Sequence, residues 1–439
     1  MTKLTENYAG LSDRQIQVFS RVFEGELVAP HHPEYDQRRA VWNGMIDRRP
    51  ALIARCTSAA DVAACVRFAR EHNLEVAVRG GAHNVAGHAT TSGGLVIDLS
   101  LMKDIFIDPD ARIARVDPGV TWGELDAAAQ VHGLATPGGV YSRTGIAGLT
   151  LGGGFGWLRN KYGLSCDNLI AAEVVTASGE LVRASQTENS DLLWGLRGGG
   201  GNFGVVTAFE FRLHQVGPEA MFAFVFYDGQ GEKMNEGLRF YRDFCASAPD
   251  EVSSIGFTGV FPPESEHYPR EIWGQPFFGI GALYAGSTAA GQEILQPLRS
   301  FRPPVMDMSA VMPYIQAQQA FDEEYPDGMR YYWKSTNVNH LDDAVIDRTA
   351  HHARLQPSPL STIDIWHIGG AVKRGSSEDS AFYGRHAAFL VNQEANWVHP
   401  EDDLANIAWA RNVVDALKPI SDASRYLNFG GFQEESDQM

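Results

Sequence analysis

Cysteine is scarce in this chain, 4 among 439 residues. None stands in a CxxC pair, so neither a disulfide framework nor a thiolate metal cluster is expected. Cys56, Cys65 and Cys245 read as small core fillers. The histidines are scattered, and the adjacent pairs His31-His32 and His351-His352 point apart on any helix or strand, so no metal site is expected. Basic residues are outnumbered: 36 Lys and Arg stand against 54 Asp and Glu, a formal net charge of -18. A surface of that sign releases no counterions from phosphate backbones, which argues against nucleic acid as a partner. No apolar run is long enough to span a bilayer, and the first residues lack the basic-then-apolar pattern of a secretory leader. A cytoplasmic protein with no membrane partner, monomeric or homodimeric, is expected. Internal repeats, low-complexity segments and a GxxxxGK[ST] loop are also missing.

What is present is enough apolar sequence, 44% of residues, to bury a large core, in a chain longer than one core usually serves. The first half mixes short helices and strands. A helix is predicted from Ala59 to Glu71, capped by Thr57 or Ser58, with Val62, Val66 and Ala69 on one face. Strands are predicted at 75–78, 94–99, 113–116, 172–176 and 205–211, and a helix over 121–130 with Thr121 and Glu124 as a capping box. After about Leu213 the texture turns to aromatic alternation, as in Met221-Phe-Ala-Phe-Val-Phe-Tyr227, the pattern of a second sheet. Helices near 234–246 and 287–301 would cover it. The fold class is therefore α+β. A first domain over 1–213, a second over 214–405 and a C-terminal segment over 406–439 are expected.

Glycine is concentrated between Gly133 and Gly204. Gly199-Gly-Gly-Asn-Phe-Gly204 matches GxGxxG literally, yet a helical turn precedes it and a strand follows, the reverse of a dinucleotide fingerprint. Gly152-Gly-Gly-Phe-Gly156 meets the same objection. The stretch 145–156 alternates bare backbone with apolar residues, which suits loops that cradle phosphate oxygens beside a flat apolar ring; tight turns between short strands would read the same way.

Three segments in order carry a family resemblance: Arg79-Gly-Gly-Ala-His83 after a strand, Leu149-Thr-Leu-Gly-Gly-Gly-Phe-Gly-Trp157, and Tyr162-Gly-Leu-Ser-Cys166-Asp-Asn-Leu169. Together they resemble the berberine bridge enzyme-like branch of the vanillyl-alcohol oxidase/p-cresol methylhydroxylase superfamily, and the segment Asn189 to Val206 looks like the closing part of its FAD domain. The resemblance covers about residues 35–213. It implies FAD held by two covalent bonds, from His83 to the 8α-methyl carbon and from Cys166 to C6. It also implies a cradle of Arg79, Gly80, Gly81, Ala82, Asn84, Gly87, His88, Pro137, Gly138, Gly145, Gly148, Leu149, Gly152, Gly153, Gly154, Gly156, Trp157, Asn168, Val205 and Val206. The first domain would then be the two-part FAD-binding domain, and the second a substrate domain whose antiparallel sheet is covered by helices. Histidyl and cysteinyl attachment each require a deprotonated nucleophile, and two electron-withdrawing bonds would raise the flavin potential.

On the substrate side, hydride leaves a carbinol carbon only as the hydroxyl proton is removed, so a base should face the flavin. Arg425-Tyr426-Leu-Asn428 resembles the family's Y-x-N segment, which implies Tyr426 as that base and Asn428 beside the flavin; an ordinary half-buried aromatic is the alternative. Asp364-Ile-Trp366-His367 resembles the substrate-domain strand that faces the flavin. Alternation puts Asp364 and Trp366 on one face and His367 on the other, leaving open which face looks into the cleft. Tyr331-Tyr-Trp-Lys-Ser335 is either a plain strand or an aromatic wall. Small residues in Tyr141-Ser-Arg-Thr-Gly145-Ile146 would admit dioxygen. Family members carry a YDP-x-N-x-F tail after the Y-x-N segment; this chain has Gly430-Gly-Phe-Gln-Glu-Glu-Ser-Asp-Gln-Met439 there, so closure of the FAD domain would differ. The implied activity is oxidation of an alcohol or hemiacetal carbon of a sugar or a polycyclic or phenolic natural product, with dioxygen reduced to hydrogen peroxide. A dehydrogenase using another acceptor and a non-catalytic flavin-binding protein are the alternatives.

Overall fold

A computed structural model describes residues 11–422 and 424–432. Residues 1–10, 423 and 433–439, at the two ends of the expected organisation and within its C-terminal segment, lie outside the described residues. The first half builds two main sheets and a two-stranded one of Leu134–Ala135 with His214–Gln215. Strands Leu52–Arg55 and Val76–Arg79 both pair in parallel with Leu95–Asp98, and Glu26–Val28 closes the edge antiparallel. A parallel pair needs a crossover. The helix Ala59–Glu71 supplies it, capped by the Ser58 side chain. The second sheet is five-stranded and antiparallel, with Val205–Arg212 central between Ile113–Val116 and Leu169–Val175. The helix Trp122–Gln130 carries the expected Thr121/Glu124 capping box.

The second half is an eight-stranded sheet in which every pair is antiparallel. Period-two alternation assigns its faces. Met221, Ala223, Val225 and Tyr227 pack in one cluster with Ile363, Ile365, Val391 and Ala395, beneath the helices Lys233–Ser247, Asp343–Ala353 and Asp403–Leu417. The intervening residues Phe222, Phe224, Phe226, Trp366 and Leu390 belong to a second cluster that also holds Phe155, Trp157, Cys166 and Tyr426. That uncovered face therefore meets the glycine-rich part of the first half. The helix Asp403–Leu417 stays on the large sheet, against its strands Arg330–Val338 and Phe389–Trp397. The crossing back is made by residues 424–432, whose Asn428 amide donates to Leu149 O at 3.0 Å.

The glycine stretch departs from its expected form at one place. Residues Ile146–Leu151 are helical rather than a loop, because Ile146, Ala147 and Thr150 bury one side against the first-half core.

Candidate active site

Between the two main sheets of the first half and the open face of the large sheet lies a cavity of about 780 Å³, within the roughly 300–1,000 Å³ typical of ligand sites. One wall is backbone-rich: Gly80 to Asn84, His88, Gly145, Gly148, Leu149, Gly152, Val205 and Val206 line it, together with Gly199, Gly200 and Gly201. A Cβ added at Gly148 or Gly201 would meet nothing within 4 Å. No side chain stands between these backbone positions and the open space, which lets a ligand approach the chain closely, as a phosphate- and ring-binding cradle requires.

His83 sits at one end of this wall, half-buried. Its ring stacks on Trp42 with centroids 4.9 Å apart and meets Tyr141 at 5.1 Å. Neither ring nitrogen has a hydrogen-bond partner among the described residues. Burial lowers its pKa to about 4, with Arg143 adding to the effect and Asp327 opposing it. The imidazole is thus neutral at pH 7, with a nitrogen lone pair free to form a bond.

The glycines at 152–154 serve another purpose. A Cβ at Gly152 would strike the Asn428 amide oxygen at 2.2 Å, and one at Gly153 would strike the Phe382 and Tyr426 rings. The Gly154 N–H donates to the Tyr426 hydroxyl at 2.9 Å, and the Asn428 amide donates to the same oxygen at 2.7 Å. Tyr426 lines the cavity but is 3% exposed, its ring held edge-on by Phe155 and Phe429. Burial raises its pKa above the ordinary phenol value, outweighing the donors Asn428, Gly154 and Phe155. The bonds from Gly154 and Asn428 join the C-terminal segment to this loop.

Other sequence-named residues lie outside the cavity lining. Cys166 is fully buried behind the same loop, its N–H donating to Gly153 O at 2.9 Å. Burial and then Asp167 hold its thiol well above the usual cysteine range, against the opposing Arg385 and Arg197. Asn168 braces that turn, donating to Leu164 O at 2.8 Å and accepting from the His214 ring Nε2 at 2.7 Å. Arg79 is buried and spends its guanidinium on the carbonyls of Arg38, Arg39 and Ala89. Gly87 abuts Ile46; Gly138 abuts the Trp122 ring and Gly156 the Gly138 carbonyl, which pack turn against turn. Pro137 is buried beside Gly138. Trp157 packs on Phe222 and Phe321.

The opposite wall comes from the large sheet. Asp364 and Trp366 line it, while His367 faces away, its Nδ1 3.2 Å from the Asn160 amide nitrogen. The sequence reading missed Glu394, which lies on the neighbouring strand Phe389–Trp397 where Asp364 pairs with Asn392. Its oxygens accept from Tyr325 at 2.6 Å and from Asn392 at 2.7 Å. Asn392, Glu394 and Asn396 alternate along one face of that strand; a period-two reading of Phe-Leu-Val-Asn-Gln-Glu-Ala-Asn-Trp carries that signal. Burial raises the pKa of Asp364 to about 7, and burial with the Asp364 charge holds Glu394 well above the carboxylate range. Phe224, Phe226, Phe257, Phe277, Phe321, Tyr325 and Trp333 complete an aromatic wall.

With that geometry described, likeness to known proteins decides the family. The family model described as "FAD binding domain" matches residues 50–185. An FAD-linked oxidoreductase from Dictyostelium discoideum is 30% identical over 96% of this chain and 88% of its own length. The (R)-6-hydroxynicotine oxidase of Paenarthrobacter nicotinovorans is 35% identical over 71% of this chain, which spans 66% of that relative's length. The solved structure of a berberine bridge enzyme-like protein from Physcomitrella patens superposes with a TM-score of 0.84 at 21% identity, covering 95% of this chain and 91% of that one. The chain belongs to the FAD-linked oxidoreductases. It has their vanillyl-alcohol oxidase/PCMH-type fold, and FAD is its cofactor. The glycine-lined wall fits that group, since Gly148 and Gly201 leave space there that no protein atom fills. Among the described residues no helix is long and apolar enough to cross a membrane.

Proposed function

We propose that this family member oxidises an alcohol or hemiacetal carbon of a ring-bearing small molecule held between the flavin and the aromatic wall, and passes the electrons to dioxygen to give hydrogen peroxide. The observation that carries the reading is one cavity with a neutral, unpartnered His83 on its backbone wall and buried carboxyls on the wall facing it. Bound FAD supplies the two-electron acceptor. His83 would hold it through a bond from a ring nitrogen to the 8α-methyl carbon, and the cradle residues 80–84, 145–152 and 199–206 would fix its position.

Cys166 would make the second attachment, to C6. Its place directly behind Gly153 supports this reading; its full burial means that the loop 153–155 must lift for the bond to form. On the substrate side, Trp366 and Trp333 sandwich the ring, and Asp364, in its ionised form, accepts the hydroxyl proton as hydride leaves the carbon. Burial keeps Asp364 in the neutral pH range, and the Asp364 charge with burial in turn holds a proton on Glu394, which Tyr325 and Asn392 fix in place. The open space at Gly148 leaves room for dioxygen beside the cradle.

The test is retention of flavin fluorescence on the denatured polypeptide, for wild type, His83→Ala, Cys166→Ala and the double variant, followed by peroxide release against a library of alcohols. Flavin lost only from the double variant supports two bonds. Flavin lost from His83→Ala alone leaves a single attachment, and flavin released from wild type overturns covalent attachment. Rapid dye reduction without peroxide would favour a dehydrogenase; bound flavin that no alcohol reduces would mark a binding protein.

A further inference from the structure

The substrate-side wall has an unusual balance of charge. Its carboxyls are Glu324, Asp364 and Glu394, whereas the lining residues able to carry positive charge, Arg48, His83 and His88, belong to the cradle side. Arg48 already donates to the carbonyls of Gly87 and Thr90. Lys334, on the strand beside Phe389–Trp397, alternates with Trp333 onto the helix-covered face where Tyr332 packs. Arg159 lies over the far side of the Trp366 ring, 5.2 Å from its centroid, and spends its N–H groups on the carbonyls of His367, Gly156 and Ser254.

Asp364 and Glu394 thus stand on adjacent strands, fully buried, with no ion-pair partner among the described residues. Their polar contacts are uncharged: Thr362 to Asp364, and Tyr325 and Asn392 to Glu394. Two buried carboxyls with no counter-charge are costly unless something cationic completes them. The rings around them have electron-rich faces that attract a desolvated cation. Trp333 is oriented by its indole N–H donating to Asn396 at 2.7 Å, and Tyr325 lies edge-on to it at 5.6 Å.

We propose that the substrate of this site carries a protonated nitrogen, which docks at the Asp364–Glu394 pair against the aromatic wall. This rests on the oxidase reading above and names its substrate class, a ring-bearing amino alcohol rather than a neutral sugar. At neutral pH the pair retains a proton, since two carboxyls this close do not both ionise unaided. The incoming cation replaces that proton, which passes to solvent, and leaves a carboxylate charged and ready to accept the hydroxyl proton. The titratable groups near the pair are Glu324, Tyr325 and Tyr331 and, across the cavity, Tyr426 and His83. Burial raises the Glu324 pKa and keeps the three hydroxyls protonated, and His83 is already neutral.

The test uses the flavin-loaded enzyme and two probes of matched shape, phenethylamine and phenethyl alcohol, titrated calorimetrically near pH 6.5 in buffers of different ionisation heat. The amine is expected to bind about tenfold or more tightly than the alcohol, ~1.4 kcal/mol, with release of a fraction of a proton up to one; the alcohol releases none. Asp364→Asn with Glu394→Gln is expected to abolish both the preference and the proton release while its flavin absorbance stays normal. Equal affinities, no binding of either probe at millimolar concentration, or a preference that survives the double variant would overturn the proposal. If the double variant fails to fold, the wild-type pH series decides: amine affinity must rise through neutrality, and a flat profile is fatal. Binding needs no turnover, so these outcomes are independent of whether an alcohol is oxidised or peroxide released.

Discussion

Replacing Tyr426 by Phe separates two roles for this residue. The hydroxyl accepts from the Gly154 N–H at 2.9 Å and from the Asn428 amide at 2.7 Å. Asn428 keeps its bond to Leu149 O. The Gly154 N–H, buried under the ring, loses its partner. One buried donor left unpaired costs about 1–3 kcal/mol, and the second lost bond about 0.5–1.5 kcal/mol net. Tyr426→Phe should therefore destabilise the protein by roughly 1.5–4.5 kcal/mol, seen as a thermal midpoint several degrees lower by circular dichroism. A general base would show itself differently: its loss slows the chemical step by about 10²–10⁴-fold. Because the phenol is tied to the loop and its pKa is raised, anaerobic flavin reduction followed by stopped-flow should slow by less than about tenfold. A variant of unchanged stability whose reduction rate falls a hundredfold or more would refute the reasoning and return the base to Tyr426.

Asp364→Asn should slow flavin reduction about 10²–10⁴-fold without releasing flavin. In wild type that rate should rise with pH through about 7 as the carboxyl ionises, so a flat profile would count against Asp364. Outside the cavity lining, Asp126 is buried with a single neutral donor, Gln318 at 3.0 Å, and burial raises its pKa from 3.8 to about 7. The folded state then holds a proton that the unfolded chain gives up, so this group's contribution is favourable below about pH 4 and is lost as pH rises to about 7. Asp126→Asn should stabilise the protein at pH 8 by up to a few kcal/mol (~1.4 per pKa unit) and bring no gain near pH 4, as denaturant unfolding at both pH values would show. Gly148→Leu should leave the fold intact, since a Cβ there meets nothing, yet lower flavin content sharply by filling the cradle; full flavin occupancy would remove Gly148 from the cofactor wall.

Local rules carried most of the secondary structure. The Ser58 and Thr121 caps, the apolar spacing of Ala59–Glu71 and the aromatic alternation of Glu219–Asp228 are nearest-neighbour signals, and each element formed where those signals stood. The ordered set of His83, Leu149 to Trp157 and Cys166 to Leu169 was specific enough in sequence to imply the family and its cofactor. Tertiary structure alone could tell which glycines face open space and which admit another chain segment. Gly148 and Gly152 are four residues apart, yet one opens on the cavity and the other receives Asn428 from the end of the chain. Likewise, alternation placed Asp364 and Trp366 on a common face, but the cavity side was fixed only when helices covered the other one. Strand register, with Asp364 opposite Asn392 and Thr362 opposite Glu394, set Glu394 diagonally beside Asp364, a neighbour 30 positions away that no local pattern encodes. Burial followed from the same assembly: it neutralises His83, withholds the Cys166 thiol and raises Asp364 into the neutral range, because a charge is penalised by what surrounds it in space.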